Sequence, residues 1–132
     1  MLGLTNPSPQ RDFSHPAWAR VYMAEERSHL HSEQRSQDLL RQWLSPDQAE
    51  QYDRCQLFEV VGSDTGRRYR IRLGTTMNIE ELAANGRIAR RWCFAPEGAS
   101  ATGDVMLAQK IALETNEMAA LVVANRIGPL AK

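Results

Sequence analysis

Arginine recurs at every second position from Arg68 to Arg72, inside the run Arg67-Arg68-Tyr69-Arg70-Ile71-Arg72-Leu73. Side chains of a β-strand point alternately to its two faces. The spacing therefore predicts a strand with Tyr69, Ile71 and Leu73 on a buried face and Arg68, Arg70 and Arg72 on a wet one. A second group, Arg87, Arg90 and Arg91, stands just before Trp92. The planar guanidinium pairs with carboxylates and phosphates through two parallel hydrogen bonds and stacks on aromatic rings. On an exposed sheet face such an array can hold an acidic protein surface. It can also hold a phosphate backbone, with Tyr69 or Trp92 in the same sheet as a stacking partner, or pair with acids of the chain's own N-terminal helix. The plain alternative is a solvated strand face.

Other chemistries do not assemble. His29 and His31 are two apart, which puts them on different sides of a helix rather than at the four-residue spacing of helical zinc sites. Cys55 and Cys93 stand on separate elements, and Cys93, between Trp92 and Phe94, reads as a buried thiol acting as a small hydrophobe. Ser63, Thr65 and Ser100 lack a nucleophile-elbow setting, and no histidine follows His31. Gly62 to Gly66 precedes a strand and so lacks the helix N-terminus of a phosphate loop. Glu80, Glu81, Glu97 and Asp104 read as solvated or capping carboxylates. The expectation is no catalytic residue, no metal and no cofactor. Trp18, Tyr22 and Trp43 lie on an otherwise polar helix. They either dock that helix on the core or anchor a partner or a second copy, since interface hot spots favour Trp, Tyr and Arg.

The chain has 132 residues, 42% of them hydrophobic and 24% charged, which fits one compact soluble domain. Its net charge is zero, which argues against non-specific coating of nucleic acid. The charge is unevenly placed. Residues 1–53 hold five arginines against eight acids, whereas residues 54–95 hold eight arginines against four acids. No apolar run reaches the ~20 residues that span a bilayer. The N-terminus does not read as a secretory signal, so free thiols in the cytoplasm are expected.

The elements that must position the arginines give an α+β reading. Residues 1–15 form an arm rich in proline and polar residues. Ser14-His15-Pro16 starts a helix whose apolar positions are Trp18, Val21, Tyr22, Leu30, Leu39, Leu40, Trp43 and Leu44, with the polar stretch 31–38 passing through or breaking it. Ser45-Pro46-Asp47-Gln48 has the form of a capping box and opens a short helix to about Arg54, with Tyr52 turned inward. Three strands follow as an antiparallel meander, at 57–61, 67–73 and 87–94, with turns at Gly62–Gly66 and Asn85-Gly86. Residues 77–82 are ambiguous between strand and helical turn, and Arg90 shares the parity of Ile88 and Trp92, which predicts a bulge. After a loop at 96–103, Thr102 or Asp104 caps a helix from Val105 to about Arg126, stopped by Gly128-Pro129. Its inner face is expected at Leu107, Ile111, Met118, Leu121 and Val122, with 119–124 buried on more than one side. The helix covers one face of the meander. The organisation is thus an arm at 1–15, a helical segment at 16–54, and a meander with its helix at 55–132, in one compact domain.

The segments SPDQ…Y (45–52), FEVVGSDTGRRYRI (58–71), NIEEL (78–82), WCFAPEG (92–98) and GDVMLAQKIALE (103–114) resemble a family of small bacterial proteins of unknown function, some carried by phages or mobile elements. The resemblance covers about residues 45–126. It implies one folded unit there and transfers no activity and no functional residue. The expected function is a small non-enzymatic binding or adaptor protein. It acts through Arg67, Arg68, Arg70, Arg72, Arg87, Arg90 and Arg91, with Trp18, Tyr22 and Trp43, on a protein partner or a second copy. Alternatives are a nucleic-acid-binding accessory protein and, third, a small enzyme.

Overall fold

The computed structural model describes residues 16–95 and 101–127, with side chains as far as Ala124. The arm at 1–15, Ser14-His15, the loop residues 96–100 and Gly128-Pro129 lie outside the described residues. Two units are distinguished, one ending at His31 and one beginning at Ser32. In the first unit, helix α1 (Ala17–Trp43) begins after Pro16, whose carbonyl accepts from Ala19 N and Arg20 N at 3.0 and 3.1 Å. Proline suits a helix start because its fixed φ is already helical and it has no N–H to leave unpaired. Trp18, Val21, Tyr22 and Leu30 are all exposed here. The helix continues unbroken through the polar stretch at 31–38.

The second unit contains the core. The last turns of α1 bury Ser36 and Leu40, with Leu44 buried just beyond. Leu39 and Trp43, one turn-face over, are exposed. Helix α2 (Pro46–Cys55) opens with the expected capping box: Ser45 Oγ accepts from Gln48 N at 3.1 Å, and Gln48 Oε1 accepts from Ser45 N at 3.0 Å. It ends at Gln56 in the left-handed conformation, φ 57°, with Gln56 N donating to Tyr52 O. Tyr52 points inward and meets Phe58 edge-on, with ring centroids 5.9 Å apart.

Four strands follow: β1 (Leu57–Val61), β2 (Arg68–Arg72), β3 (Ile79–Leu82) and β4 (Ile88–Trp92). They form one antiparallel meander in that order. The three-strand expectation is corrected: the ambiguous segment is the central strand β3. Its sequence, Ile-Glu-Glu-Leu, has weak intrinsic strand preference because Glu is depleted in sheets. Strand preference mostly measures what the side chains meet across the ladder, and here Glu80 and Glu81 face Arg70 and Tyr69 on one side and Arg91 and Arg90 on the other. Asn85-Gly86 closes the β3–β4 hairpin, with Gly86 at φ 84° and Ala83 N donating to Arg87 O at 2.8 Å. The expected irregularity is present as a register shift opposite β4, between Glu81 and Leu82.

Helix α3 (Thr102–Ile127) contacts β1 and β2. Its N-terminus is capped from α1 rather than by Thr102 or Asp104. Glu33 accepts from Thr102 N at 3.2 Å, and Ser36 Oγ accepts from Asp104 N at 3.0 Å. The expected inner face is also corrected. Leu121 is buried and Leu107 is partly buried against the core, but Ile111, Met118, Val122 and Val123 are exposed. Val105, Met106, Gln109, Leu113, Glu117, Ala120 and Ala124 face the core instead. The cause is that two of the innermost positions, Gln109 and Glu117, are polar, so the face that docks is not the most apolar one. The helix is also broken at Asn116, whose φ of −155° and ψ of 53° are non-helical. Among the described residues no helix is long and apolar enough to cross a membrane.

Candidate functional site

The sheet's two faces carry different chemistry. The inner face, under α3, holds Phe58, Val60, Tyr69, Ile71, Ile79 and Trp92, all buried. The outer face carries one cross-strand row that alternates in charge: Glu59 opposite Arg70, Arg70 opposite Glu80, and Glu80 opposite Arg91. Neighbouring residues of opposite charge on one face of a sheet stabilise the pairing. Arg68 and Arg72 flank this row from the same strand as Arg70.

Glu80 is the hub. It is only 2% exposed, and three guanidinium groups surround it. Arg72 Nε lies 2.8 Å away, Arg70 Nε 3.5 Å and Arg91 Nη2 3.7 Å. Arg68 pairs with Glu59 at 3.4 Å. The reading of Glu80 as a solvated carboxylate is therefore corrected: the arginine side chains lie over it and bury it. Within the row and its flanks, four arginines meet two glutamates, so the face keeps a surplus of two positive charges. Arg70 Nε and Glu80 Oε1 also lack a hydrogen bond. The cluster is held by charge more than by directed bonds.

The remaining arginines are not on this face. Arg67 lies 3.9 Å from Glu81, Glu81 accepts from Trp92 Nε1 at 2.9 Å, and the Arg90 guanidinium lies 4.9 Å from the centroid of the Trp92 ring. These four form a separate cluster at the rim of the inner face. Arg87 opens the arm of the last hairpin, its N–H on Asn85 Oδ1 at 2.9 Å. Tyr69 and Trp92, considered above as stacking partners for a bound base, are both buried on the inner face and unavailable. Among the described residues the exposed aromatic side chains are on α1: Trp18 and Tyr22 in the first unit and Trp43 in the second.

Sequence reasoning missed a second carboxylate hub. Glu117 is fully buried beside the β1–β2 turn. Its carboxylate accepts four hydrogen bonds: from Asp64 N and Thr65 N at 2.9 Å, Thr65 Oγ1 at 2.7 Å and the Tyr69 hydroxyl at 2.5 Å. Burial pushes its pKa up, but the bonds from Tyr69, Thr65 and Asp64 outweigh that and hold it below the ordinary 4.5. Burial, and then the Glu117 charge it donates to, push the Tyr69 hydroxyl far above its ordinary value.

The same turn repairs the helix break. Glu117 N donates to Ser63 Oγ at 3.1 Å and Met118 N to Asp64 Oδ2 at 2.9 Å. In return Ser63 N donates to Leu113 O at 3.0 Å, the carbonyl that Glu117 N would serve in an unbroken helix. Gly62 lies so close to the Glu117 carboxylate that a Cβ would collide with it. With two hydrogen bonds on each carboxylate oxygen, Glu117 ties the β1–β2 turn to α3.

A polar groove of about 590 Å³ lies along α1, α2 and the end of β2. Glu33, Asp38, Arg41, Tyr52 and Asp53 line it. Arg41 pairs with Asp53 at 2.6 Å, and the Tyr52 hydroxyl donates to Gln37. Its groups pair with one another and no nucleophile–base arrangement forms. Cys55 is exposed and Cys93 half-buried, and His29 and His31 are solvated. Among the described residues no group of His, Cys, Asp and Glu is placed to hold a metal ion. No family model, no curated protein and no solved structure matches the chain.

Proposed function

We propose that the protein is a non-enzymatic binding module whose outer sheet face takes an acidic surface of a protein partner. The observation that carries this reading is the Glu80 cluster, in which buried Glu80 holds Arg70, Arg72 and Arg91 in place while the face keeps net positive charge. Guanidinium groups already held in position lose less conformational freedom when a carboxylate arrives. Two features favour protein over nucleic acid. A phosphate backbone crossing the row would meet Glu59, and no aromatic ring of the sheet is exposed for a base to stack on.

The test compares a fluorescent polyglutamate peptide with single-stranded DNA of equal charge, in low salt. The expected result is tighter binding of the peptide, lost by about tenfold in Arg68→Ser/Arg72→Ser with the fold intact. Equal loss of peptide and DNA binding as salt rises, with tighter binding of DNA throughout, would favour the nucleic-acid reading instead.

A further inference from the structure

The two edges of the sheet are finished differently. In an antiparallel ladder, residues alternate between those whose backbone groups face the neighbouring strand and those whose groups face away. At the β1 edge Glu59 faces away from β2, and α2 covers it: Gln51 Oε1 accepts from Glu59 N at 2.8 Å, and Gln48 Nε2 donates to Glu59 O at 2.9 Å. At the other end of the ladder, Arg72 N donates to Asn78 O, so alternate residues of β2, Arg70 among them, face β3. By the register, Glu80 then faces β2, Ile79 and Glu81 face β4, and Arg91 turns its N–H and C=O away from β3 into the open edge. Among the described residues no side chain plays at Arg91 the part that Gln48 and Gln51 play at Glu59. Ile88, Ala89, Arg90 and Arg91 are all exposed.

We infer that the free edge of β4 accepts an extended segment of another protein, added as a fifth strand, with two adjacent acidic residues between apolar ones. The inference rests on the sheet-face reading above and specifies the partner's form. Three observations carry it. Among the described residues the edge is open at Arg91. The outer row runs Glu59, Arg70, Glu80, Arg91 and stops on a cation whose nearest carboxylate already serves two other arginines. β4 also already accepts such a strand on its other side: β3 reads Ile-Glu-Glu-Leu and sets Glu80 opposite Arg91 and Glu81 opposite Arg90. A strand of the same pattern on the open side puts one acid beside Arg91 on the outer face and the next beside Arg90 at the inner rim. Strand addition takes affinity from main-chain hydrogen bonds and specificity from the alternating side chains. A second copy is the wrong occupant, because β4 against β4 in antiparallel register sets arginine against arginine at the centre, and like charges directly opposite destabilise a pair.

The probe is the hexapeptide Thr-Ile-Glu-Glu-Leu-Thr with blocked ends, titrated into the full isotope-labelled chain and followed by amide shifts and hydrogen exchange. Two controls are the same peptide with Lys-Lys for Glu-Glu, and the acidic peptide N-methylated at both glutamates, which keeps the charge and removes the donors. The expected result is saturable shifts along 88–92, slowed exchange of the Arg91 amide, and about tenfold weaker binding of each control. Equal binding of the N-methylated peptide, with Arg91 exchange unchanged, would overturn strand addition and leave the sheet-face reading standing. Failure of both this peptide and polyglutamate to bind would overturn both. Arg91 protection that rises with protein concentration alone would assign the edge to a second copy and overturn the inference.

Discussion

Two buried glutamates, Glu80 and Glu117, sit on opposite faces of one sheet and are stabilised in opposite ways. Glu117 is met by four neutral donors, two of them backbone N–H groups, at hydrogen-bond distance. Glu80 is met by three guanidinium groups, with one oxygen lacking a hydrogen bond. Directed neutral bonds fix geometry and stabilise the buried charge without cancelling it. Surrounding cations fix less and leave a positive surplus at the surface. One face of the sheet is built to hold the fold, and the other carries charge that its own residues do not balance.

Equal changes at the two sites should separate these roles. The largest effect is expected from Glu117→Ala, which strands the buried Tyr69 hydroxyl and unties the turn donors of Asp64 and Thr65. We expect a loss of about 4 kcal/mol of unfolding free energy in urea, unchanged by added salt. Gly62→Ala should cost about 2–3 kcal/mol, because the new methyl group displaces the carboxylate from its donors. Glu80→Ala should cost less, about 1–2 kcal/mol, since its half-exposed arginines can turn to water. That cost should shrink in high salt, where charge interactions are screened. If the Glu80 loss exceeds the Glu117 loss, the division of roles is wrong.

Acid gives a finer test. The folded pKa of Glu117 lies below its ordinary 4.5. The ionised group therefore adds stability in full above about 4.5, and loses it as pH falls through the lower folded value. Tyr69→Phe removes one of its donors and should cost about 1 kcal/mol at neutral pH. It should also raise the folded pKa, so the Glu117-dependent share of acid unfolding begins at higher pH. An unmoved acid transition would mean that Tyr69 contributes little to holding the charge. The smallest stability effect belongs to Arg68→Ser, within about 0.5 kcal/mol by denaturation, as expected for an exposed ion pair.

What could be read beforehand followed from local rules. The capping box at Ser45 and Gln48, the inward Tyr52, the alternation in β2 and the Asn85-Gly86 turn all depend on residues within a few positions of one another. The outer-face arginines at 68, 70 and 72 were readable for the same reason. Features that depend on distant partners were not. Glu80 reads as a surface residue until β2 and β4 are set on either side of it. Nothing near Glu117 in the sequence marks it, because its donors come from the β1–β2 turn. The apolar spacing of the last helix pointed to Ile111, Met118 and Val122, because the face that docks has Gln109 and Glu117 among its innermost positions and is not the most apolar one. Arg67 and Arg90 belong to the inner rim, which the count of arginines could not reveal.

The break at Asn116 also bears on the order of folding. The groups that replace the missing helical bonds, Ser63 and Asp64, are 54 residues away in sequence from Glu117 and Met118. Local helical preference alone would draw the segment around Asn116 into one uninterrupted rod, since nothing nearby supplies those bonds. The bend is expected to be acquired after the first hairpin exists, because closing so long a loop is slow relative to helix growth. An isolated peptide spanning 102–127 should form a straight helix, with Glu117 N bonded to Leu113 O. The final shape of the C-terminal segment is then a record of docking rather than a property of its own sequence.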